Sequence, residues 1–344
     1  MVTTIQPVRQ SRDGARGKIP RCDRRSDPSF HRHWIPAARW CAALLLLSCC
    51  RESGRAKPLA QAAAHTDQPA AAAAAGAPPT EEPVADGALL PVYDDLGAAL
   101  TALAPPGTRV LGLGELHART DRPAATSALA RFTAEGLPAL APRMAHLVLE
   151  TWAVTGDCGE VAARATAAVA AQVRRPRTTQ RELGALVARS QALRVAAHAM
   201  TVRCEDYQVM AKGDDAAIAH LLDLTTSELG RLGAALVART TAQRPLVVIY
   251  GGAMHNDREP QPGLEPWSYA AAVEAASEHT FVEVDLVVPE LGLADPTTMR
   301  QPWAHLLGKS PKVVAVRRGE RAYTLLLPAS SATPPHADGP GGGL

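Results

Sequence analysis

The chain predicts an α/β fold in three layers: a mostly parallel sheet with helices on both faces and an antiparallel hairpin at the C-terminal end. Three observations predict it. Short runs of branched apolar residues alternate with longer segments of helical periodicity, the pattern of strand–helix–strand units. The run Leu246-Val247-Val248-Ile249-Tyr250 is apolar without a break, as a strand covered on both faces must be. Two strand-type segments close the chain, 312–317 and 321–327, with the short spacer Arg318-Gly319-Glu320 between them as a hairpin turn.

The elements follow in order. Residues 92–103 carry apolar residues at helical spacing and stop at Pro105-Pro106-Gly107, which predicts a helix. Residues 108–113 read as a strand, 124–135 as a helix ended by Gly136, and 146–151 as a second buried strand. Residues 160–173 form an Ala-rich helix. The stretch 179–200 reads as one long helix, with Leu183, Leu186, Val187 and Leu193 on one face, and 201–204 as a short strand. Helices are expected at 215–222, 227–240 and 266–277, and strands at 246–250 and 280–288.

Beyond this body the chain changes character. Residues 1–60 hold twelve Lys/Arg against four Asp/Glu, a balance of +8, so a chain of net charge +2 leaves −6 for the remainder. A mildly acidic body argues against nucleic acid as its partner. The run Trp40–Leu47 is too short to span a bilayer, which takes about 20 apolar residues, and has the length of the apolar centre of a secretory signal. With Leu46-Leu47-Ser48-Cys49 behind it, the segment resembles a bacterial lipobox. That resemblance implies a lipid on Cys49, with Cys50 as the alternative, and a place in the cell envelope, anchored to a membrane; an ordinary cleaved signal or an N-terminal anchor are the other readings. Residues 1–50 are thus an export segment, 51–88 an Ala/Pro-rich disordered tether, 90–328 a single domain, and 329–344 a Pro/Gly-rich disordered tail. Cys158 and Cys204 are the two cysteines of the body, and an oxidising compartment favours a disulfide between them over two free thiols.

The chemistry-bearing residues collect where strands end. Gly112-Leu113-Gly114-Glu115-Leu116-His117 follows the first strand, Glu150 ends the second, and Tyr250-Gly251-Gly252-Ala253-Met254-His255-Asn256-Asp257 follows a later one. In parallel sheets ligands bind beyond the carboxyl ends of the strands, so Glu115, His117, Glu150 and His255 are expected to share one crevice. Gly112 and Gly114 are read as letting the backbone turn sharply and approach a ligand, and Gly251-Gly252 as removing side chains where another backbone or a ligand approaches. A buried carboxylate such as Glu150 needs a partner, for which Arg119, His117 or a metal ion are candidates. Asp257 is expected to orient His255, Arg119 to support Glu150, and Asp206 to add a carboxylate at the same rim. Glu283 and Asp285 share one side of a strand and either support the site from behind or face solvent. His146, His198, His220, His279 and His305 follow no ligand spacing and are read as structural. P-loop, dinucleotide, HExxH and GxSxG motifs do not occur, which disfavours the enzyme classes built on them.

These motifs, in this order over residues 90–290, resemble the ChaN/Tiki/erythromycin-esterase superfamily. The resemblance implies an α/β domain whose members include haem-binding envelope lipoproteins, metal-dependent proteases and macrolide-opening esterases. Carried over, Glu115, His117, Glu150 and His255 would form the catalytic or metal site. Two chemistries follow. One is hydrolysis of a small-molecule or peptide substrate: the site holds a divalent ion (Zn, Mn or Co) that activates water, or, without metal, His117 or His255 deprotonates water while a Glu orients it. The other is haem or iron binding without catalysis, through His255, His117 or Tyr250. A tethered envelope domain without chemistry is the third reading.

Overall fold

The structure, a computed structural model, describes residues 80–84, 88–153 and 158–330. The export segment with Cys49, the tether up to residue 79 and the tail from residue 331 lie outside the described residues. The strands are β1 (Thr80–Val84), β2 (Ala88–Tyr93), β3 (Val110–Glu115), β4 (Met144–Ala153), β5 (Ala196–Thr201), β6 (Leu246–Gly252), β7 (Phe281–Val287), β8 (Val313–Gly319) and β9 (Ala322–Leu326). The principal helices are α1 (Leu96–Leu103), α2 (Ala128–Arg131), α3 (Leu137–Leu140), α4 (Gly159–Val173), α5 (Thr178–Ala192), α6 (Cys204–Met210), α7 (Asp215–Val237), α8 (Ala270–Ala276) and α9 (Pro289–Gly292).

The strands form one sheet in the order β1-β2-β8-β9-β7-β3-β6-β4-β5. From β9 to β5 all neighbours are parallel, and β9, β8, β2 and β1 are joined antiparallel. Mostly parallel, closed by an antiparallel edge, the sheet is the one expected. Each face is covered. Leu111, Leu113, Leu147, Leu149 and Val248 pack with residues of α1, α2, α3 and α5. Val110, Val148, Val247, Ile249 and Phe281 pack with α4, α6, α7 and α8 on the other side. Alternate side chains of each strand feed the two cores, which is why these strands read as unbroken apolar runs.

Several boundaries differ from expectation. Residues 80–84 and 88, assigned to the tether, form the outer hairpin with β2, because Thr80–Val84 finds a ladder partner in Ala88–Val92. The first helix begins at Leu96 and not at residue 92, since Val92 and Tyr93 pair with β8 and Asp95 caps the helix by accepting from Ala98 N at 2.7 Å. The helix expected over 124–135 starts after the cap Ser127 and runs on through a π-helical turn, Phe132–Gly136, into α3.

The largest correction is at 193–204. Helix α5 ends at Ala192, Arg194 takes a left-handed conformation (φ 58°), and Ala196–Thr201 is a strand beside β4. Ala has high helix propensity, but pairing with β4 outweighs so weak a preference. Cys204 opens α6 and belongs to no strand. The two helices expected between 215 and 240 are one, α7. No helix among the described residues is long and apolar enough to cross a membrane.

Candidate functional site at the carboxyl ends of β3, β4 and β6

Strands β3, β6 and β4 are neighbours, and register sets Glu115 beside Gly252 and Leu149 beside Tyr250. The carboxyl ends of the three strands therefore meet. Glu150 lies where the register with β5 shifts between Leu149 and Trp152, an irregularity of the kind that re-aims a side chain. The loop after β6 is pinned back onto the sheet, with Ala253 N donating to Glu115 O at 3.2 Å and His255 N to Gly252 O at 2.9 Å. Glu115, His117, Glu150 and His255 are all buried, between 2% and 8% exposed.

His117 is held between two carboxylates. Its Nδ1–H donates to Glu115 Oε1 at 2.8 Å, and its Nε2 lies 3.6 Å from Glu150 Oε1. Tyr250 donates its hydroxyl proton to the other oxygen of Glu115 at 2.6 Å, and Arg175 Nη1 stands 3.8 Å from Glu115 Oε1. Gly252 N donates to Glu150 Oε2, while Glu150 Oε1 is buried without a hydrogen-bond partner. His255 faces a different environment: its Nδ1 lies 3.0 Å from Trp267 O and 2.9 Å from Thr226 Oγ1. A carbonyl only accepts, so Nδ1 carries the proton and Nε2 the lone pair.

The first two glycines act differently from expectation. Gly112 and Gly114 lie inside β3 and make no turn. Gly251 and Gly252 leave room for side chains. A Cβ at Gly251 would stand 2.6 Å from Glu150 Oε2, and one at Gly252 would stand 2.9 Å from His117 Nε2.

The environments split the titrations. For His117, burial and the Arg175 charge push the pKa down, but the Glu150 charge and the bond to Glu115 outweigh them and the net shift is upward. For His255, burial dominates and the shift is downward, with Glu150 opposing it. Burial opposes ionisation of Glu150, yet His117, His255 and Arg175 bring its pKa to about 2. Glu115 is lowered too, against burial, by His117, Arg175 and Tyr250. Near neutral pH the site thus holds two carboxylates, a guanidinium, an imidazole favoured as imidazolium and an imidazole favoured neutral. A cavity of about 10 Å³ lies among Glu115, His117, Glu150, Arg175 and Tyr250, about the space one water needs; His255 is not among its lining residues.

The three supporting residues expected around this group have other partners. Arg119 makes a two-pronged bond to Asp121, at 2.8 Å for each contact, and Asp121 also receives Arg174. Asp206 lies on α6, where it accepts from the Arg203 backbone and side chain and faces His220. Asp257 accepts from Glu259 N, and Thr226 and Trp267 orient His255 in its place. The sequence reading missed Arg175 because its signal was only one arginine in the run Arg174-Arg175-Pro176-Arg177 between two helices. Thr226 lies mid-helix in α7 and carried no signal.

Among the described residues no three His, Cys, Asp or Glu stand where they could share a metal ion. Both oxygens of Glu115 are engaged, and a guanidinium lies beside them. Away from the site, the sulfurs of Cys158 and Cys204 lie at bonding distance, with Cα atoms 5.2 Å apart, joining the starts of α4 and α6.

No family model matches the chain, and no curated protein matches it. Among solved structures, the type III effector HopBA1 is similar at 10% identity, over 70% of this chain and 98% of that one, with a TM-score of 0.35. Likeness at that level carries no argument about this chain.

Proposed function

We propose that the protein is a metal-free hydrolase that activates water between two histidines of opposite protonation. The observation that carries this reading is the pair itself: His117 is held toward its protonated form by Glu115 and Glu150, while His255 has its proton tied to Trp267 O on Nδ1 and keeps a lone pair on Nε2. Groups whose surroundings push their pKa values apart are suited to acid and base roles at one pH. In this reading His255 takes the proton from water, and Glu150, through its unpartnered Oε1, orients that water. Arg175 offers N–H donors to the negative charge that develops on the attacked carbonyl oxygen, and His117 returns a proton to the leaving group. An ester or amide carbonyl of a small molecule or peptide is the substrate class.

Haem binding is the weaker reading, because Tyr250 donates its hydroxyl to Glu115 and His117 is held between two carboxylates, which leaves His255 of the three candidate iron ligands. An envelope location with a lipid on Cys49 stays part of the proposal, supported by the apolar run before Cys49 and by the cysteine pair at bonding distance, which suits an oxidising compartment.

The test is turnover of p-nitrophenyl acyl esters and a peptide library by the full chain, with and without chelator. Expected are turnover that survives chelation and loss of about a hundredfold or more in His117→Ala and His255→Ala, the range removed with a general acid or base. Wild-type rates in either variant would overturn the assignment. A rate restored only by added Zn, Mn or Co would replace it with metal-assisted hydrolysis.

A further inference from the structure

A second polar network lies behind the site, on the face of β7 that also carries Phe281. Glu283 is buried and Asp285 nearly so, and both receive Nη2 of Arg318, which reaches across β9 from β8. The two acids bind alternate residues of the loop that carries His255. Asn256 Nδ2 donates to Asp285 Oδ1 at 3.1 Å and to Gly112 O at 3.4 Å, and Arg258 N donates to Glu283 Oε2 at 2.8 Å. Two positions along β7 are thus matched to two along the loop, directly after His255. Space for this match comes from β3: a Cβ at Gly114 would stand 2.4 Å from Asp285 Oδ1, 2.6 Å from Ala253 Cα and 2.7 Å from Asn256 Oδ1.

Burying two carboxylates and a guanidinium is costly, and a well-packed apolar cluster often does as well for stability alone. Hydrogen bonds to backbone and amide groups of one loop give the network a geometric role. Met254 packs against the apolar core, but His255 and Asn256 after it are polar and buried, and placing a reactive imidazole to within about half an ångström requires a rigid support.

We propose that Asp285, Glu283 and Arg318 are positioning residues that clamp the Ala253–Arg258 loop and thereby fix the ring of His255 for the reaction. The clamp rests on the hydrolase reading for its catalytic consequence, but its physical content, an ordered loop and a single His255 tautomer, is independent of turnover. Asp285→Ala removes the acceptor for Asn256 and leaves Arg318 with one acid fewer. Asp285→Asn keeps an oxygen at the same place.

The experiment is hydrogen exchange on the full chain, with ¹⁵N spectra of the His255 ring. In Asp285→Ala the amides of 253–258 should exchange about tenfold faster or more, the scale of losing one hydrogen bond to a charged group, while β4 stays protected. The ring, held in the Nδ1–H form in the wild type, should become a mixture of tautomers. Asp285→Asn should retain most of the protection and the single tautomer. Where esters are turned over, kcat should fall in Asp285→Ala with KM little changed. If Asp285→Ala does not fold, Asn256→Ala, which keeps both acids and Arg318, should loosen the same loop. Wild-type exchange and an unchanged ring in whichever of these variants folds would overturn the clamp. Absence of turnover in every variant and in the wild type would overturn the hydrolase reading while leaving the exchange result decisive for the clamp.

Discussion

Replacing Gly251 by alanine adds one methyl group at the most crowded point of the site. The new Cβ would stand 2.6 Å from Glu150 Oε2 and 3.0 Å from Glu150 Cβ, both too close to persist beside a side chain that is 2% exposed. The carboxylate has to move, and moving breaks its bond from Gly252 N. A hydrogen bond to a charged group contributes about 1.5–3 kcal/mol, and forcing a methyl into a packed interior costs about 1–3 kcal/mol. Reduced backbone freedom in the unfolded chain returns about 0.5–1 kcal/mol. The net expectation is a loss of about 2–5 kcal/mol, together with loss of ester turnover as Glu150 leaves its place. Gly184→Ala is the control: Gly184 lies in α5 with no atom within 4 Å of the added Cβ, so that variant should gain about 0.5–1 kcal/mol. Urea unfolding followed by tryptophan fluorescence measures both. A Gly251→Ala protein as stable and active as the wild type would refute the packing argument and, with it, the placement of Glu150.

Two pH dependences follow from the same charges. Turnover needs His255 neutral and His117 protonated, so log(kcat/KM) should rise with pH through a pKa below the usual histidine value and fall through one above it; a profile with only a rising limb would remove His117 as the acid. On β7, burial lifts Glu283 to about 7 and Asp285 to about 6, with Arg318 pulling both back. The folded state therefore keeps protons that the unfolded chain releases, and this part of the stability is lost as pH rises through about 7. Between pH 6 and 8 the loss is about 1 kcal/mol for one such group. Glu283→Gln should flatten that slope in denaturant titrations at the two pH values, and an unflattened slope would count against the buried acid.

Much of the site could be read from the chain because its residues sit at fixed offsets from strands that announce themselves. Glu115 ends β3, Glu150 follows Leu147-Val148-Leu149, and His255 follows the Gly pair that ends β6, so the parallel-sheet rule was enough to expect them at one rim of the sheet. Supporting residues were poorly legible for the opposite reason. Thr226 and Trp267 orient His255 from a helix and a short 3₁₀ turn, 29 and 12 residues away, and no spacing rule links such positions. Asp257 and Arg119 were plausible by proximity in sequence, and Asp206 by the strand expected at 201–204, yet each satisfied its charge or its backbone locally. The alternation of Glu283 and Asp285 with apolar neighbours was visible, and only the packing chose between solvent and support.

By itself the sequence determined the class of fold and most of the central strands, and with them the positions of Glu115, His117, Glu150 and His255 at or just past strand ends, because apolar periodicity and strand ends are local properties of the chain. Tertiary structure decided the rest. It made a strand of Ala196–Thr201 through pairing with β4, and brought Arg175 beside Glu115. It gave two histidines opposite proton affinities, since burial, partner charges and the direction of a carbonyl are set by atoms far away in sequence.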